Sequence, residues 1–185
     1  MRALILFIVT LFFLGGCSTL HVDHDYDPSY DFSRLAKAAV VYAPNGDGTI
    51  SLAQQRFAMA IEETLREKGF LLTDRDHADF IMLFHLNVTE KRQLVTDYEL
   101  VGLYPYHPYY YGTGMVPVTR EYRWKEAKIV IDTVDPDGNK IFWRGLATDR
   151  LHTFKTPEER VRYTREVVAE ILKNFPPTST DQGEK

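Results

Sequence analysis

The chain has one cysteine in 185 residues, Cys17, so no internal disulfide can form and stability must come from packing. It has no excess of positive charge. The formal net charge is −4, and one unit more negative once Arg2 is removed, which leaves no electrostatic footprint for nucleic acid. No apolar run approaches the roughly 20 residues that span a bilayer. There is no Gly-x-Ser-x-Gly, no phosphate-cradling glycine loop, no His-Glu-x-x-His and no internal repeat. With the catalytic signatures missing, the expectation is a protein that is not an enzyme and carries no cofactor.

What is present begins at the amino end. Arg2 is a minimal basic region, residues 3–14 are apolar except for Thr10, and Gly15 and Gly16 are small residues suited to a peptidase cut. Residues 1–16 read as a signal peptide and residues 17–19 as lipid anchor and short tether. The stretch Leu14-Gly15-Gly16-Cys17-Ser18 resembles a bacterial lipobox. That resemblance implies a diacylglyceryl thioether on Cys17 and a palmitate-bearing amine. Each buried methylene contributes about 0.8 kcal/mol and stable anchoring needs more than one chain, so three acyl chains anchor firmly. Ser18 after the cysteine resembles lipoproteins sorted to the outer membrane, which implies a domain facing the periplasm.

A hydrophobic content of 44% predicts a real core, and residues 20–177 are expected to form a single domain. Residues 20–26 alternate as a strand, with His21, Asp23 and Asp25, followed by Asp27, on one face and Val22, His24 and Tyr26 on the other. Residues 38–42 form a second strand. Ser51 and Gln54 make a capping box for a helix over residues 52–68, whose buried stripe is Phe57, Ile61 and Leu65 and whose stop is Gly69. Residues 78–89 give the cleanest strand, with Phe80, Met82, Phe84, Leu86 and Val88 on one face, and residues 91–101 continue extended. Residues 103–118 are expected to be irregular, because their prolines and glycines disfavour both a helix and a central strand. Residues 122–134 and 140–152 read as a hairpin about Asp135-Pro136-Asp137-Gly138, with Ile129, Ile131, Ile141 and Trp143 supplying apolar faces. Thr156 as cap, Pro157 at the first helical position and Glu159 closing a capping box start a last helix striped by Val161, Val168, Ile171, Leu172 and Phe175. Residues 178–185 are polar and expected to be disordered. The predicted class is a two-layer α+β fold, a mostly antiparallel sheet with two amphipathic helices on the face of Phe80, Phe84 and Val88.

Several motifs resemble sites and fail on their ligands. The loop at residues 43–54 has Gly48 and Ile50 where a calcium loop needs them, but Ala43 and Gln54 replace two oxygen ligands. The turn after Asp135 puts Lys140 where the glycine belongs. His21 and the acids beside it are spaced too widely on one strand to share an ion unaided, so a solvated edge strand is expected. The tyrosines of residues 103–118 are different. Tyr104, Tyr106, Tyr109, Tyr110 and Tyr111 offer stiff, amphipathic contact area at low entropic cost. They are the candidate surface for an envelope protein or glycan, with packing on the domain itself and contact at the lipid headgroups as the competing readings. A hydrolase whose site forms only in the fold, around His85, Asp132 and Asp135, and a metal site on His21 and His24 are the alternatives to a binding module.

Asp25-Tyr26-Asp27-Pro28-Ser29 with Asp31-Phe32, Ala78-Asp79-Phe80, Ile131-Asp132-Thr133-Val134-Asp135, Trp143-Arg144-Gly145, and Ile171-Leu172 with Phe175-Pro176-Pro177 form an ordered series. In order and spacing they resemble the bacterial lipoproteins of domain of unknown function 4136. The chain departs from that pattern at Tyr42, where tryptophan is more usual, and in its tyrosine-rich segment. The resemblance implies an envelope lipoprotein and carries over no catalytic residue.

Overall fold

The computed structural model describes residues 19–42, 44, 48–101, 114–137 and 140–177. The leader, Cys17, the tyrosines at 104–111, Gly138 and the tail at 178–185 lie outside the described residues. The strands are β1 (His21–Tyr26), β2 (Lys37–Val41), β3 (Leu71–Leu72), β4 (Phe80–Val101), β5 (Gly114–Val134) and β6 (Ile141–Arg150), and the helices are α1 (Leu52–Glu67) and α2 (Pro157–Ile171). They form one sheet in the order β1-β6-β5-β4-β2-β3. β2 runs parallel to β3 and β4, and every other pair is antiparallel. The class is therefore α+β, with a mostly antiparallel sheet. β1 is an edge strand, and its burial alternates so that His21, Asp23 and Asp25 face water.

The caps explain where the helices start. Ser51 and Gln54 exchange both capping-box bonds, at 2.8 and 3.2 Å, and Gly69, at φ +91°, takes the left-handed position after α1. Thr156 caps α2 by accepting from the Glu159 N–H at 3.2 Å. Glu159 does not close a box on Thr156. Its carboxylate accepts from the Lys155 N–H at 2.8 Å, one residue further out.

The core lies between one sheet face and the two helices. Phe80, Met82 and Phe84 of β4, Ile131 of β5 and Trp143 of β6 meet Ile61 and Leu65 of α1 and Val167, Val168 and Ile171 of α2, all of them buried. Phe175 beyond α2 closes over Phe80, Trp143 and Phe70. A smaller cluster of Ala39, Ala78, Ile81 and Val134 lies apart from it.

Three details differ from the sequence reading. Val88 is 53% exposed, because it lines an open groove between the sheet and the first turns of both helices. Ile141 is 47% exposed while Phe142 is buried. The register shifts between Thr133 and Val134, so Phe142 is an extra residue in β6 and turns inward onto Tyr30, at 3.8 Å between ring centroids. Residues 114–118 are strand, not irregular, and Pro117 pairs in register with Tyr98. Proline is tolerated there because β6 pairs with β5 only from Glu126 on, which leaves the far half of β5 with an open edge.

Candidate functional site

β4 and β5 stay paired from Ile81↔Val134 to Val101↔Gly114, whereas β6 stops at Arg150, opposite Glu126. Beyond Glu90 and Lys125 the pair is a free two-stranded ribbon. At roughly 3.3 Å per residue it extends about 35 Å past the core. The candidate tyrosines belong to residues 102–113, which join its two strands. Among the described residues leading there, the large side chains of Leu94, Tyr98, Leu100 and Met115 are 59–71% exposed. Register sorts the ribbon into two faces. Leu94, Thr96, Tyr98 and Leu100 share one with Met115, Pro117, Thr119 and Glu121. The other carries Asp97, Glu99 and Arg120, joined by ion pairs, together with the smaller apolar side chains of Val95, Val116 and Val118.

At the foot of the ribbon a groove of about 390 Å³ opens between the sheet and the first turns of both helices. Phe57, Leu86, Val88 and Ile129 contribute apolar surface, and Arg56, Arg160, His152 and Tyr163 contribute polar groups. Behind it lies Asp149, 4% exposed. This carboxylate accepts from the Thr19 hydroxyl at 2.5 Å, the Tyr163 hydroxyl at 2.6 Å and the Arg150 N–H at 2.7 Å. His152 Nε2 lies 3.0 Å away. Burial alone would raise the Asp149 carboxyl, but these bonds together outweigh it and hold it below the ordinary carboxylate range. Burial, and then its bond to that carboxylate, push the Tyr163 phenol up. Sequence reasoning missed Asp149. The available signal was parity: it falls in step with Trp143, Gly145 and Ala147, the inward positions of β6.

Of the alternative site residues, Asp132 and His85 share one face of the sheet, since Asp132 lies opposite Leu83, two residues before His85. Both carboxylate oxygens of Asp132 are taken by Arg144, at 2.5 and 2.9 Å. Asp135 accepts from the Lys140 N–H at 3.2 Å, across the hairpin turn. His85 stands exposed on β4. His21 and His24 occupy opposite faces of β1, and His24 stacks on Tyr26. Among the described residues no group of three or more His, Cys, Asp or Glu is placed to hold a metal.

The acids of the motif series serve the fold instead. Asp79 accepts from the backbone N–H groups of Ala36 and Lys37, at 3.1 and 2.8 Å. Asp27 accepts from Lys140 Nζ and from Ser29, and these bonds, the lysine's first, hold its carboxyl down to about 2. Tyr42, at the position where the pattern favours tryptophan, packs its ring on Phe84 at 5.2 Å.

Among solved structures, a PDZ domain protein from Parabacteroides distasonis is similar at 14% identity and a TM-score of 0.52, over 88% of this chain and 36% of that one. This chain thus spans little more than a third of that neighbour's length, and the likeness is one of fold. A PelC dodecamer from Paraburkholderia phytofirmans aligns at 10% identity over 83% of this chain and 95% of its own, with a TM-score of 0.47. A minor lipoprotein from Acinetobacter baumannii aligns at 12% identity over 76% and 91%, with a TM-score of 0.38. No curated protein matches the chain. The model of the family described as domain of unknown function (DUF4136) matches residues 22–177, and the chain belongs to that family.

Proposed function

We propose that this protein is an outer-membrane lipoprotein, held by lipid on Cys17 and facing the periplasm, whose domain works by binding and not by catalysis. Its contact surface is Tyr104, Tyr106, Tyr109, Tyr110 and Tyr111, in the sequence between the two strands of the ribbon, and its partner is an envelope protein or glycan. The observation that carries this reading is the ribbon itself. A two-stranded hairpin gains little stability alone, yet this one projects far beyond the core with Tyr98, Leu100 and Met115 in water. Apolar surface exposed in that concentration marks a contact site. The lipobox-like residues and the tether of a few residues support the anchored placement.

The test is photocrosslinking in living cells with a reactive amino acid at position 106 or 110, compared with position 59, an exposed site on α1. The reading predicts a discrete adduct from position 106 or 110 and none from α1. Adducts from α1 with none from positions 106 and 110 would contradict it.

A further inference from the structure

We infer that the apolar face of the ribbon lies on the lipid surface to which the protein is anchored. The inference rests on the anchored reading and adds to it the orientation of the domain. Three placements carry it. First, β1 enters the sheet at the foot of the ribbon: His21 is opposite Thr148, which is opposite Lys128, which is opposite Asn87. The residues before His21 therefore leave the sheet at the end from which the ribbon projects. Second, they leave on the matching side. Thr19 is bonded to Asp149, which is bonded to Tyr163 of α2, so Thr19 sits on the helix-covered side of the sheet. Tyr98 and Leu100 share strand parity with Phe80 and Phe84, which the helices cover, and belong to the same face of β4. Third, Cys17 is two residues from Thr19, a reach of roughly 7 Å when extended.

A bilayer at Cys17 thus passes close to the foot of a ribbon about 35 Å long. Inserted end-on, the ribbon would drag Asp97, Glu99 and Arg120 into hydrocarbon, which is strongly disfavoured. Laid along the surface, it places Tyr98, Leu100, Met115 and Pro117 at the boundary between headgroups and acyl chains, and the ion pairs face water. This is the sidedness of an interfacial amphipathic element, and tyrosine suits that depth.

The test uses the full acylated protein in phosphatidylethanolamine/phosphatidylglycerol vesicles. Nitroxide labels are attached at Tyr98→Cys, Leu100→Cys and Met115→Cys, and at Asp97→Cys, Glu99→Cys and Val118→Cys. Acylation of Cys17 leaves each variant one free thiol. Accessibility to oxygen relative to a water-soluble nickel chelate should be high at 98, 100 and 115 and low at 97, 99 and 118, alternating with period two. An acylated protein that floats with the vesicles but is water-accessible at all six positions overturns the ribbon's placement and leaves the anchor standing. An unmodified Cys17 and a protein that does not float overturn both.

Discussion

Arg144 and Asp132 face each other on neighbouring strands, with Nε and Nη2 of the guanidinium 2.5 and 2.9 Å from the two carboxylate oxygens. The Asp132 side chain is 7% exposed and that of Arg144 is 51% exposed. The pair links the motifs Ile131-Asp132-Thr133 and Trp143-Arg144-Gly145, since one supplies the buried carboxylate that the other satisfies. The contact also raises the Arg144 guanidinium pKa, through the hydrogen bond first and the charge second.

Removing the arginine should strand a buried carboxylate. Arg144→Ala is expected to cost roughly 1–3 kcal/mol, the lower values reflecting solvent on the arginine side. Urea unfolding measures it, and a midpoint equal to that of the unaltered protein would show that the pair contributes nothing.

Gly145, next in the chain, is fixed by space. A Cβ there would stand 2.4 Å from Cη2 of Trp143 and 2.5 Å from Cγ2 of Ile171. Both side chains are buried, so neither has room to withdraw. Gly145→Ala is expected to lower stability by roughly 1–3 kcal/mol through overpacking, read as a fall in thermal midpoint.

Asp149 gives the fold an acid limit. Its folded pKa lies below the unfolded value, so its contribution is present above the unfolded carboxylate pKa, about 4, and is lost as pH falls through the folded one. Asp149→Asn should cost roughly 1–3 kcal/mol at neutral pH, and the gap between the two proteins should narrow steadily below about pH 4. A gap independent of pH would show that the carboxylate charge plays no part.

The helices, the hairpin and the inward face of β4 as far as Leu86 were legible because each has a local cause: caps, a turn entered at Pro136, and alternation that one buried face enforces. Three things were not legible. Phe142 points inward because of a register shift that alternation cannot foresee. Pro117 enters a strand because β6 ends early and opens an edge, a fact of topology. Asp149 becomes a hub through Thr19, some 130 positions away. Of the candidate site, the tyrosines lie outside the described residues, and the ribbon on either side of them in the sequence appears only once β4 and β5 are paired.

The ribbon's apolar residues should matter for contact and not for folding. Leu100→Ser, 59% exposed in the parent, is expected to leave stability within about 0.5 kcal/mol. Phe84→Ala, in the core, should cost about 3–5 kcal/mol. Equal costs in chemical denaturation would mean that the ribbon face is covered in solution by the protein itself.

The most direct test of the anchored account is the mass of the amino-terminal tryptic peptide of protein taken from cell membranes. The account predicts a peptide of residues 17–34 that begins at Cys17 and carries diacylglyceryl and an amide-linked acyl chain. A peptide that retains residues before Cys17, or one that starts there with an unmodified thiol, would contradict it.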